Sequence, residues 1–279
     1  MLRNPSFVAV LLVTICTVNG LAEDQPKSSG KLKVAGIVLK WIRGDKEANY
    51  QRVTPLIREA AANGAKLVVT TECFLDGYAI QDKSIPLETY RGLGEPIPGG
   101  TYFNRLSELA AELKIFLIAG MTEADGEDRF NTTVLFNTDG QMIGKYRKQV
   151  LGHEVPRNTP GKISSTYSTP YGKMGMLICA DRTDPNVVRR FKENGAEFLI
   201  CSSGGMFGPK KNDPIVQARS KETGLPIIFV HPAEFLVTGK EGEIVAQTVL
   251  GDVLLIDSSD VGTEKDSKKI FYYELNTKN

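Results

Sequence analysis

Cys179 is the residue whose type and position most directly suggest chemistry. It follows an apolar run, Met174–Ile178, which is too short and too continuous for an amphipathic helix and predicts a strand buried on both faces. Asp184 and Pro185 then supply the N-cap and first residue of a helix. Cys179 therefore lies at the carboxyl end of a strand, where open α/β sheets place their sites, and is predicted to be a nucleophile. The alternative is a small core residue, because cysteine is among the most buried residue types.

A repeated β-α-β pattern places a second polar residue at a strand end. Residues 62–72 resemble residues 193–203, and each copy is preceded by a helix pattern and a strand pattern of similar composition. Two such units predict one pseudo-symmetric domain, in which Glu72 and Cys179 both lie at carboxyl ends of strands. The buried strands need helices on one face and a second sheet on the other, so the predicted fold is α/β, a four-layer α-β-β-α sandwich.

Other elements are predicted from their turns and caps. Lys148 directly follows a predicted hairpin of residues 130–136 and 142–147, whose first strand contains the glycosylation sequon at Asn131. Thr101 is predicted to cap one helix, and Asp213-Pro214 to open another that Gly224 ends. The last predicted elements are a hairpin of residues 243–247 with 253–256, and a strand or exchanged arm at 270–275.

The amino terminus has the features of a secretory signal peptide. Residues 1–22 contain Arg3, an apolar run from Phe7 to Val18, and small residues before Glu23. The alternative is an uncleaved membrane anchor, but the run is shorter than the ~20 residues that a bilayer span needs. Residues 23–30 are predicted to be a polar linker.

The charge balance argues against binding to nucleic acid or an anionic membrane, and the cysteine count indicates a free thiol. Removal of residues 1–22 leaves 33 basic and 33 acidic residues, so no electrostatic footprint for nucleic acid or an anionic membrane follows. Three cysteines remain, Cys73, Cys179 and Cys201. An odd number in an exported protein leaves at least one free thiol.

Three motifs, in this order along residues 31–260, resemble those of the nitrilase, or carbon–nitrogen hydrolase, superfamily. They are Thr71-Glu72-Cys-Phe-Leu-Asp-Gly77-Tyr78, Lys145-Tyr-Arg-Lys148, and the turn at Cys179. The resemblance implies that residues 31–279 form a carbon–nitrogen hydrolase domain. It implies Glu72 as general base and acid, Lys148 as the cation that stabilises the intermediate, and Cys179 as the nucleophile. It also implies that Glu154 holds the lysine, while the backbone N–H of Ala180 meets the developing negative charge.

This sequence departs from the superfamily pattern in three places. Thr71 stands where a proline is usual, Ala180 replaces an aromatic residue, and Arg182 directly follows Asp181 instead of lying two positions further on. The three implied catalytic residues are retained. The departures are therefore expected to affect the shape of the pocket and the choice of substrate.

The predicted function is an exported hydrolase, secreted or periplasmic, that cleaves a small amide through a cysteine thioester and releases ammonia or an amine. N-carbamoyl compounds and nitriles are alternative substrates for the same residues, and an inactive exported binding protein is a further alternative. A Cys–His hydrolase using His231 or His153 is the rival enzyme class. The chemistry needs no metal or organic cofactor, and the resemblance implies a homodimer or higher homo-oligomer.

We expect the exported protein to begin near Glu23, because residues 1–22 are apolar without a pattern that would pack against the domain. Intact-mass measurement of the exported protein tests this expectation. A mass that still includes Arg3 would contradict it.

Overall fold

A computed structural model describes residues 30–205, 207–250 and 269–277. The predicted signal peptide, residues 23–29 of the linker and the predicted strand at 253–256 lie outside these ranges. The strands and helices, in chain order, are β1 (Lys31–Ile37), α1 (Lys46–Ala62), β2 (Leu67–Val69), α2 (Leu87–Gly92), β3 (Glu95–Pro96), α3 (Thr101–Leu113), β4 (Phe116–Asp125), β5 (Asp128–Phe136), β6 (Met142–Arg147), β7 (Thr166–Thr169), β8 (Gly172–Ile178), α4 (Pro185–Glu193), β9 (Phe198–Ser202), α5 (Pro209–Thr223), β10 (Ile227–His231), β11 (Glu234–Thr238), β12 (Ile244–Val249) and β13 (Ile270–Asn276).

Within the described ranges, two sheets share one pattern of strand pairing. The first has the order β13-β1-β2-β4-β5-β6, with the short β3 beside β4, and the second has the order β7-β8-β9-β10-β11-β12. In each sheet the second, third and fourth strands of the order are parallel, and the flanking strands are antiparallel. The predicted units β1-α1-β2 and β8-α4-β9 occupy equivalent places, so the two pseudo-symmetric halves are confirmed.

Apolar side chains of β1 alternate between two cores, as strand geometry requires. Ala35 and Ile37 pack with residues of α1 and α3, whereas Val34 faces a core formed with the second sheet, α4 and α5. The sheets approach closely at Gly36, where a Cβ atom would lie 2.5 Å from the ring of Phe235. The fold is therefore the predicted four-layer α-β-β-α sandwich.

Two predicted helix starts are wrong. Helix α3 follows Gly100, and Thr101 is its first residue and not its cap. The carboxylate of Glu95 accepts hydrogen bonds from the N–H groups of Tyr102 and Phe103, which satisfies the first turn instead. Helix α5 begins at Pro209 and includes Pro214, whereas its predicted end at Gly224 is confirmed.

Strand β12 pairs in antiparallel register with β11, which precedes it. The segment at 253–256, its predicted hairpin partner, lies outside the described residues. The terminal strand is confirmed, and β13 pairs in antiparallel register with β1 of its own chain. Among the described helices, none combines the length and the apolar composition required to cross a bilayer.

Gly120 of β4 allows this strand to lie against the turn that carries Glu72. A Cβ atom at this position would lie 2.6 Å from the carbonyl oxygen of Thr71 and 2.8 Å from the nitrogen of Cys73. Because both contacts are to backbone, we expect Gly120→Ala to lower the free energy of unfolding by about 1–3 kcal/mol, measured in urea. Gly92→Ala is the matched control, since a Cβ atom there meets nothing within 4 Å. Equal stability of the two variants would contradict the prediction.

Candidate active site

Cys179 lies at a strained turn between β8 and a short 3₁₀ helix, Cys179–Thr183. Its φ of 44° is in the left-handed region, which is unfavourable for a residue with a side chain. The side chain is 7% exposed, so the sulfur lies in a nearly closed site. The predicted position at the carboxyl end of a buried strand is confirmed.

Asp181 fixes this turn to the segment that follows Lys148. One carboxylate oxygen accepts hydrogen bonds from the backbone N–H groups of Gln149 (3.0 Å) and Val150 (2.8 Å). The other accepts from the N–H of Ile178 (3.1 Å) and the hydroxyl of Tyr146 (2.8 Å). A single buried side chain therefore sets the position of the nucleophile relative to the lysine.

Glu72 follows β2, and its N–H donates to the carbonyl oxygen of Ser203 in the other half of the domain (3.3 Å). Its Oε1 accepts from Lys148 Nζ (2.7 Å) and from Asn131 Nδ2 (2.7 Å). Its Oε2 is buried and has no hydrogen-bond partner among the described residues. Glu72 therefore has one oxygen that is fixed and one that is available to react.

Lys148 lies between two carboxylates. Its Nζ donates to Glu72 Oε1 at 2.7 Å and to Glu154 Oε1 at 2.5 Å, and the side chain is 1% exposed. Burial by itself lowers the pKa of Lys148, but the negative charges of Glu72 and Glu154 outweigh it and hold the pKa well above the ordinary value. The ammonium is therefore charged throughout the neutral range. The charge of Cys179 is a further, smaller cause of the raised pKa of Lys148.

Glu154 differs from Glu72 because both of its oxygens are engaged. Oε1 accepts from Lys148 and from Asn131 Nδ2 (3.0 Å), and Oε2 accepts from Asn158 Nδ2 (2.8 Å). The Glu154 side chain is completely buried. Glu154 thus contacts the lysine, as the resemblance implies, and both of its oxygens already accept hydrogen bonds.

Asn131 is a site residue that the sequence analysis did not identify. Its amide nitrogen donates to both Glu72 and Glu154, and its amide oxygen accepts from the thiol of Cys73 (3.2 Å). Its backbone carbonyl accepts from Lys148 N–H (2.8 Å). The signal in the sequence is a polar amide within an apolar strand. Because this amide is buried and bonded, the sequon is not accessible to glycan attachment.

The backbone of Gly204 and Gly205 faces the reactive atoms. A Cβ atom at Gly204 would lie 3.1 Å from Glu72 Oε2, and one at Gly205 would lie 3.3 Å from Cys179 Sγ. Tyr78 borders the same space. Burial and the charge of Glu72 hold its pKa well above the ordinary value, so its hydroxyl stays protonated. This hydroxyl has no hydrogen-bond partner among the described residues and can donate to a bound molecule.

Neither histidine has the contacts expected of a catalytic base for Cys179. His231 Nδ1 accepts from the N–H of Ala233 (3.3 Å), so Nε2 carries the proton and donates to the carbonyl oxygen of Gly205 (2.8 Å). His153 is exposed and lies edge-on to Tyr78, with 6.1 Å between ring centroids. The geometry favours His231 as a support for the loop at Gly205.

Ala180 is the second residue of the 3₁₀ helix, where an N–H group has no acceptor within the helix itself.

No disulfide forms among the cysteines of the described residues. Cys73, Cys179 and Cys201 are all free and buried. Among the described residues, no group of three or more His, Cys, Asp or Glu side chains could hold a metal ion.

Comparison with known proteins gives the same fold. The crystal structure of Saccharomyces cerevisiae Nit3, a member of branch 10 of the nitrilase superfamily, superposes with a TM-score of 0.75 at 30% identity, covering 89% of this chain and 91% of that chain. An amidase from Nesterenkonia sp. has a TM-score of 0.71 at 17% identity, covering 88% and 90%, which concerns the fold alone. The sandwich with its buried cysteine, lysine and glutamates is therefore a protein of the nitrilase superfamily.

Sequence comparison defines the family. The model of the carbon–nitrogen hydrolase family matches residues 33–259. The chain is 30% identical over 260 residues to the omega-amidase NIT3 of Saccharomyces cerevisiae, covering 83% of this chain and 88% of that protein. It is 32% identical over 221 residues to the omega-amidase NIT2 of Homo sapiens, covering 74% and 75%. The protein belongs to the carbon–nitrogen hydrolase family.

We expect Asn131→Ala to reduce kcat at least tenfold and to lower the free energy of unfolding by about 1–3 kcal/mol, because two buried carboxylates lose a donor. Activity and urea unfolding are measured together. Asn104→Ala is the control, since this asparagine is exposed and bonds only a loop carbonyl. If the kcat and the free energy of unfolding of Asn131→Ala equal those of Asn104→Ala, the prediction is wrong.

Proposed function

We propose that this protein is an exported amidase, secreted or periplasmic, that hydrolyses a small amide through a thioester on Cys179 and releases ammonia or an amine. The coarser statement, a carbon–nitrogen hydrolase, follows from its family. The signal-peptide pattern of residues 1–22 supports export. The homo-oligomer implied by the resemblance stays a prediction.

The difference between Glu72 and Glu154 is the observation that carries the proposal. Both contact Lys148, but only Glu72 has a buried oxygen without a partner among the described residues. That oxygen and Cys179 Sγ border the backbone of two consecutive glycines, Gly204 and Gly205. A base that faces the nucleophile across a confined space is what proton transfer from a thiol requires.

In the proposed reaction, Glu72 Oε2 accepts the proton of Cys179 and the sulfur attacks the amide carbon. Negative charge develops on the amide oxygen, where the Lys148 ammonium and the N–H of Ala180 can stabilise it. Glu72 then returns the proton to the nitrogen, the C–N bond breaks, and a thioester remains. Glu72 next takes a proton from water, whose oxygen attacks the thioester. The S–C bond breaks, the acid product leaves, and Glu72 returns the proton to the Cys179 sulfur.

The amide substrate class is supported by relatives. Two proteins that share 30% and 32% identity with most of this chain are omega-amidases. Tyr78 supplies a protonated hydroxyl at the border of the site, which suits a polar substrate better than a purely apolar one.

We expect Cys179→Ala to lose amide turnover by at least 10³-fold while it stays folded, because the nucleophile is removed and little packing is lost. Ammonia release is measured across a panel of small amides, N-carbamoyl amino acids and nitriles. Cys201→Ala, at a buried thiol in β9, is the matched control and should retain activity.

Two results would contradict the amidase proposal. One is amide hydrolysis that survives in Cys179→Ala. The other is ammonia release from the wild-type protein only with carbamoyl compounds or nitriles, which would assign a different substrate class to the same residues.

A further inference from the structure

Arg182 contacts the sulfur of the nucleophile. Its Nη1 lies 3.5 Å from Cys179 Sγ, and both side chains are buried. The two residues are three apart on a 3₁₀ helix, in which side chains at i and i+3 eclipse each other. The departure noted in the sequence, an arginine directly after Asp181, is therefore what aligns the guanidinium with the sulfur. An arginine one residue further along would lie out of this register.

The guanidinium is held in this position by neutral groups. Nη2 donates to Asn212 Oδ1 at 2.5 Å, and Asn212 in turn donates to the carbonyl oxygen of Phe207 at 2.6 Å. The guanidinium carbon lies 5.3 Å from the ring centroid of Phe229. Among the described residues, no carboxylate forms a hydrogen bond or ion pair with Arg182. Glu72 and Glu234 act on the guanidinium only through space, without a hydrogen bond to it. Because a buried cation needs an opposite charge nearby, the sulfur in its ionised form is the counterion in direct contact with it.

Lys148 is poorly suited to that task. Its ammonium is bonded to two carboxylates, Glu72 and Glu154, so these three groups together carry one negative charge. A net negative cluster opposes the formation of a thiolate beside it. The groups that interact with Cys179 from the surrounding elements are Lys148, Tyr78, Cys201 and Arg182. Of these, Arg182 is the cation whose hydrogen-bond partners are otherwise neutral.

We propose that Arg182 is a second catalytic cation, which stabilises the Cys179 thiolate, and this inference builds on the proposed function. When Glu72 takes the thiol proton, the charge left on sulfur faces Arg182 Nη1. When water attacks the thioester, the S–C bond breaks and its electron pair returns to the sulfur beside the same guanidinium. Arg182 thus acts at the start and at the end of the cycle, while Lys148 acts on the oxygen of the intermediate.

The test is the rate of Cys179 alkylation by iodoacetamide between pH 5 and 9, followed by peptide mass. We expect Arg182→Gln to slow alkylation about tenfold or more at pH 7, and to move the midpoint of the profile upward by about one to two pH units. Arg182→Lys should slow alkylation less than Arg182→Gln does. Lysine keeps the positive charge but lacks the planar guanidinium that reaches both Cys179 Sγ and Asn212. Arg189→Gln, at an exposed arginine of α4, is the control and should match wild type.

An unchanged profile in folded Arg182→Gln would overturn the inference. If Arg182→Gln does not fold, the same measurement is made on Arg182→Lys and Asn212→Ala. Alkylation profiles that match wild type in both variants would also overturn the inference. Alkylation needs no substrate, so this test is independent of the amidase assay. Failure of the whole amide panel would refute the proposed function, whereas a wild-type alkylation profile in an active amidase would refute only the role of Arg182.

Discussion

The buried ammonium of Lys148 between Glu72 and Glu154 is the interaction on which the site depends. Burying three charges is costly, and such an ion cluster contributes little net stability compared with apolar packing. It is tolerated here because the fixed oxygens have donors: Glu154 accepts three hydrogen bonds, and Asn131 bridges both carboxylates. The remaining oxygen, Glu72 Oε2, lies against Gly204, next to the glycine that faces Cys179 Sγ. In the proposed mechanism the cluster orients Glu72 as the base, and the apolar packing of the surrounding sandwich offsets the cost of burying the charges.

The two-sheet architecture explains how distant segments meet. The halves share a strand order, but they contribute unequally: Glu72, Lys148 and Glu154 come from the first half, and Cys179 comes from the second. Glu72 follows the second strand of its β-α-β unit, whereas Cys179 follows the first strand of the other, so they are not symmetry-related. Contacts across the interface fix their separation, including the bond from Glu72 N–H to Ser203 and the three bonds that Asp181 accepts from Tyr146, Gln149 and Val150.

The sequence predicts what depends on local pattern and misses what depends on distant contacts. The range of α1, the cap at Asp184 and the strand before Cys179 follow from spacing and turn chemistry, and the structure confirms them. The start of α3 depends on the carboxylate of Glu95. Asn131 is the clearest case, because its two hydrogen bonds in the site are to Glu72 and Glu154, which are 59 and 23 residues away along the chain. Arg182 shows that a departure from a motif can carry information when the local helix type is known.

The most direct test of the account is to trap the acyl-enzyme. Wild-type protein is quenched in acid during turnover of a small amide, and its peptides are mapped by mass. The account predicts an adduct with the mass of the acyl group on the peptide that contains Cys179, which disappears as the substrate is consumed. Turnover with no adduct, or with an adduct confined to Cys73 or Cys201, would contradict covalent catalysis by Cys179.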